Sequence, residues 1–105
     1  MPETAGGGVS TDRYHVVWLH SVKRHARQVI DGLLARGEET KSFYQALARI
    51  NLALTTNPEE KGESREYEER VISETPACVT FEVHSDTKDV IVLNVAYHKP
   101  KSDRN

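Results

Sequence analysis

From Val79 to His84, Val79, Phe81 and Val83 alternate with Thr80, Glu82 and His84, the period-two pattern of a strand with one dry and one wet face. Ser85-Asp86-Thr87-Lys88-Asp89 interrupts the apolar run with residues that favour turns through local side-chain to backbone hydrogen bonds. Val90-Ile91-Val92-Leu93-Asn94-Val95-Ala96-Tyr97 follows, apolar on both faces and rich in β-branched residues, which predicts a strand inside a sheet rather than at its edge. A two-stranded hairpin is marginal alone, so the rest of the chain must supply more strands and a helical cover.

Upstream, Tyr14-His15-Val16-Val17-Trp18-Leu19 is aromatic and β-branched and predicts a strand. The period then changes. Val22, Ala26, Val29, Ile30, Leu33 and Leu34 fall at i, i+4, i+7, i+8, i+11 and i+12, one face of an α-helix. Ser21 is placed to cap its start and Gly37 to end it in the left-handed conformation. A second helix is predicted by Phe43, Leu47, Ile50 and Leu54, flanked by Ala46 and Ala53 and stopped by Asn57-Pro58. The short connection between the helices makes them antiparallel neighbours. Pro58 to Ser64 reads as a charged loop, and about Tyr67 to Ser73 as a third strand anchored by Tyr67, Val71 and Ile72. The order β-α-α-β-β-β predicts an α+β fold: an N-terminal strand, an antiparallel helix hairpin, then three antiparallel strands, with the helices on one face of the sheet.

Length allows one small domain, expected over residues 13–99, with a disordered leader at 1–12 and a disordered basic tail at 100–105. No apolar run approaches the roughly 20 residues of a membrane span, and the N-terminus lacks the pattern of a secretory signal, so no membrane partner is expected. The single cysteine, Cys78, excludes an internal disulfide and a Cys-based zinc site, and is expected as a buried thiol in a strand. These features point to the cytoplasm. The formal charge of −2 argues against an obligate nucleic-acid binder, but its distribution is uneven. Residues 57–75 carry seven acids against Lys61, Arg65 and Arg70, whereas residues 20–36 carry Lys23, Arg24, Arg27 and Arg36 against Asp31 alone. The ordinary reading of such partition is solubility; a polyanion contact is the other.

The order strand and helix hairpin, then Leu54-x-x-Asn57-Pro58-x-x-x-Gly62, then Arg70 eleven residues before Phe81, resembles the RelE/ParE superfamily of toxin–antitoxin toxins. The ending Val90-x-Val92-Leu93-x-Val95-x-x-His98 is similar to that family's last strand. The likeness covers roughly Tyr14 to Lys101. It implies the toxin of a type II module, neutralised by an antitoxin and acting either by ribosome-dependent cleavage of messenger RNA or on DNA gyrase. A non-catalytic binding module of the same fold, including a homodimer, is the alternative it leaves open. The chain departs from the family where Ala77-Cys78 replaces the usual tyrosine-arginine pair and Phe81 the later tyrosine. Its pI of about 6.2 is also unlike the basic ribosome-dependent members.

Metal-free RNA cleavage needs a base, an acid and cations for the phosphate. His98, at the tip of the last strand, is the acid/base candidate, and Arg70 the candidate for bidentate phosphate contact. Lys99, Lys101 and Tyr97 are the RNA-binding candidates, the tyrosine by stacking on a base. Each has a plainer role: a solvated histidine at a strand end, an arginine paired with nearby glutamates, a tyrosine in the core or a subunit contact. His15, His20, His25 and His84 lack metal-ligand spacing, so neither a metal nor any other cofactor is expected.

Overall fold

A computed structural model describes residues 13–64 and 69–100. Its elements are β1 (His15–Trp18), α1 (His20–Ala35), α2 (Lys41–Leu54), a short 3-10 turn (Pro58–Glu60), β2 (Glu63–Ser64), β3 (Glu69–Glu74), β4 (Ala77–His84) and β5 (Asp89–Tyr97). The five strands form one sheet in the order β1-β5-β4-β3-β2. The three long strands and β2 pair antiparallel, while β1 runs parallel to β5. The valine-rich strand therefore lies inside the sheet, with a neighbour on each side, as its composition predicts.

Register decides which side chains meet the helices. Ala77, Val79 and Phe81 of β4 are buried, and their partners Ile72, Val95 and Val92 share that face. Phe81 pairs with Val92 while Thr80 pairs with Asn94, so Leu93 is an extra residue, a β-bulge. The bulge shifts the phase of β5: Val90 and Val92 face inward before it, Val95 and Tyr97 after it. From above, α1 packs on β5, and α2 on β3 and β4. Val22 and Leu33 of α1, and Phe43, Ala46, Ile50 and Leu54 of α2, complete the core.

The ends of the helices differ from expectation at one cap and agree at another. Ser21 lies inside α1, whose N-cap is Leu19 with no side-chain hydrogen bond, because the helix begins two residues earlier than a cap at the serine requires. Gly37 is left-handed at φ 73°, with Gly37 N–H donating to Leu34 O (3.0 Å) and Glu38 N–H to Leu33 O (2.9 Å), the paired bonds of a Schellman ending. The first turn of α2 is satisfied by Glu39, whose carboxylate accepts from Ser42 N–H at 3.0 Å.

Other corrections concern surfaces. Leu34, at the margin of the apolar stripe, is 60% exposed. The segment Pro58–Ser64 is not simply a loop but contains the 3-10 turn and edge strand β2. Cys78 is half-buried rather than buried, because it points to the sheet face away from the helices, where Ser73 Oγ lies 3.5 Å from its sulfur. Tyr67, expected as an anchor of the third strand, lies outside the described residues.

Candidate functional site

Arg70 occupies the start of β3 on the helix-side face, opposite Phe81. Its Nε donates to Lys61 O at 2.8 Å, one terminal nitrogen to Ser64 Oγ at 2.8 Å and the other to Gly62 O at 3.3 Å. The guanidinium thus uses three of its donors to fasten the segment around Gly62, and two of the acceptors are main-chain carbonyls rather than glutamates. At the other end of the sheet, His98 follows β5, exposed, with its N–H donating to Pro76 O at 2.7 Å. Lys99 is exposed beside it, and Lys101 lies outside the described residues. Tyr97 is half-buried, its ring edge-on to Phe43 at 5.7 Å between centroids and 72° between planes.

Arg70 and His98 are not brought together. Arg70 pairs with Phe81 and hence with Val92, whereas Tyr97 is level with Ala77 and Glu74. Five residues along the strands and two strands across separate the two backbones by roughly 20 Å. That exceeds what the two side chains can span together.

The structure does assemble a different cluster. His20, Lys23, Arg24 and Arg27 fall at i, i+3, i+4 and i+7 of α1, all exposed, and line a cavity of about 360 Å³. Beside it a cleft of about 290 Å³ runs between the helices, lined by Trp18, Ala26, Ile30, Tyr44 and Leu47 together with Lys23 and Arg27. Trp18 is held there by its Nε1–H, which donates to Asn51 Oδ1 at 2.8 Å and ties β1 to α2. Tyr44 is 55% and Leu52 66% exposed, and with Ala48 they form an apolar stripe along the outer side of α2. The charge count along residues 20–36 shows the cations, but only the packing of Trp18 under both helices shows the cleft beside them.

On the opposite face of the sheet, His15, Asp89 and His84 occupy one rung across β1, β5 and β4. His15 Nδ1 is 3.5 Å from an Asp89 oxygen, and His84 Nε2 is 3.1 Å from Glu82 Oε1. Among the described residues no group of three or more His, Cys, Asp or Glu is arranged to hold a metal ion.

A scan against protein-family models finds no match, and a search of the curated proteins finds none. Among solved structures, the chain is similar to one in the toxin–antitoxin complex RelBE2 from Mycobacterium tuberculosis. The TM-score is 0.61 at 13% identity, over 87% of this chain and 98% of that one. At this identity the likeness is one of fold: the chain has a RelE-like α+β fold.

Proposed function

We propose that the chain is the toxin component of a type II toxin–antitoxin module, working in the cytoplasm. Its antitoxin covers the cleft between α1 and α2 and the apolar stripe beside it. The observation that carries this reading is the apolar surface itself: Tyr44 and Leu52 stand open to solvent beside an apolar-floored cleft, on a RelE-like scaffold. An amphipathic helix laid into such a groove buries its own apolar face and exposes its polar one. No helix of the described residues is long and apolar enough to cross a membrane. The target is either translation, through ribosome-dependent cleavage of messenger RNA, or DNA gyrase.

For the nuclease reading, His98 is the proposed acid/base and Lys99 and Lys101 the phosphate-binding cations. Tyr97 shapes that end of the sheet through Phe43, and Arg70 orders the β2 edge. The separation of Arg70 from His98 favours a second reading, a non-catalytic binding module of the same fold, homodimeric or held by another protein. Induced expression in bacteria separates the two. Growth arrest that is lifted by co-expressing the neighbouring small open reading frame supports the toxin. Normal growth of cells rich in soluble protein overturns it. If His98→Ala retains full arrest, the histidine has no part in the mechanism.

A further inference from the structure

The outer face of α1 gathers four cationic or titratable side chains. His20, Lys23, Arg24 and Arg27 have no ion pair among the described residues. Asp31 is the single acid in α1, one turn beyond Arg27, and it too has no ion pair among the described residues. Arg36 and Arg49, by contrast, are held by Glu38 and Glu74 at 3.3 and 3.2 Å. Unpaired cations crowded along one helical face repel one another, so the arrangement gains most when phosphates approach. The face does not stand alone. Lys23 and Arg27 line both the basic cavity and the cleft holding Trp18 and Tyr44, so positive charge passes directly into an aromatic slot.

We infer that this face binds single-stranded nucleic acid, its phosphates held along His20, Lys23, Arg24 and Arg27 and one unstacked base placed in the cleft against Tyr44. Phosphate spacing along a flexible strand suits cations one turn apart on a helix, and an aromatic ring beside them takes any base by stacking. RNA and DNA share both features, so the surface senses the strand and not its sugar. A duplex keeps its bases stacked and has nothing to place in the cleft. Because Lys23 and Arg27 belong to both cavities, a protein helix seated between α1 and α2 and a nucleic-acid strand exclude one another. The inference does not depend on toxicity: a chain that leaves growth unaffected would still bind.

Fluorescence anisotropy of labelled twelve-residue oligo(U), oligo(dT) and a duplex of the same length, titrated with the full chain across a salt series, tests it. The expected result is binding of both single strands above the duplex, with a log–log salt slope of about −2 to −3 from three to four phosphate contacts. Lys23→Gln with Arg27→Gln is expected to weaken binding at least about tenfold and reduce the slope by roughly 1.4. Tyr44→Ala is expected to weaken binding about tenfold with the slope unchanged, since stacking releases no counterions. Circular dichroism confirms that the variants are folded, and Arg36→Gln, off the face, is the control. Absence of binding at low salt, tighter binding of the duplex, or affinities that the double variant leaves unchanged would overturn the inference.

Discussion

Gly62 adopts φ 69°, and a Cβ there would run into the main-chain carbonyl of Val71, so both conformation and space demand glycine. Gly62→Ala is expected to lower the unfolding free energy by about 3 kcal/mol, read from urea denaturation. Arg70→Ala removes the bonds to Lys61, Gly62 and Ser64 and is expected to cost about 2 kcal/mol in the same measurement, while Arg70→Lys recovers little because it has no fork. Glu39 gives a pH-dependent contribution. Hydrogen bonds from the Ser42 side chain and then the Ser42 N–H favour its charged form and hold its carboxyl below the ordinary glutamate value. A depressed carboxylate adds stability that is complete above its unfolded-state value and is lost as pH falls through the folded one. Glu39→Gln is therefore expected to flatten the stability profile on the acid side only, with a Glu39 NMR titration midpoint below that of a model peptide. None of this was legible at the residue level. Arg70 finds main-chain carbonyls, which carry no sequence signature, and Ser21 satisfied the capping rule while the chain used Glu39, at the other helix.

At the level of elements, both helices and β4 followed from their periods, because an apolar stripe that must face a core leaves little choice of structure, while β5 followed from its β-branched composition. The run VIVLNVAY looks apolar on both faces partly because the bulge at Leu93 exchanges the buried set halfway, from Val90 and Val92 to Val95 and Tyr97. The 3-10 turn and β2 stayed hidden because glutamates dominate that stretch and pairing there depends on the turn at Gly62 and on Arg70. Between elements, the bond from Trp18 to Asn51 joins β1 to α2, and no local rule pairs residues so far apart in the chain. Trp18→Phe keeps the ring but loses that bond. It is expected to cost about 1 kcal/mol and to raise hydrogen exchange in β1 more than in β4.

On the scale of the molecule, strand order governs what the candidate residues can do together. The motif that marks Arg70 and His98 says nothing of distance, and only the register of β3 through β5 reveals that they occupy opposite ends of the sheet. The same register gathers His15, Asp89 and His84 on one rung, where the sequence had shown scattered histidines. Charge also separates at this scale: unpaired cations on α1, and glutamates near the β2 edge. The net value of −2 conceals both.

The parallel pairing of β1 with β5 fixes the order in which the chain can be completed. His15 to Trp18 emerge from a synthesising ribosome long before their main-chain partners, Asp89 to Val92, have been made. Until then β1 has no ladder to join, and the tryptophan that closes the helix cleft has no anchored strand behind it. A chain truncated at Ser85 is expected to lack the dispersed amide spectrum of the full protein. In a nascent copy β1 would therefore wait for β5, and the surface around Trp18 would assemble only once Val92 had been made.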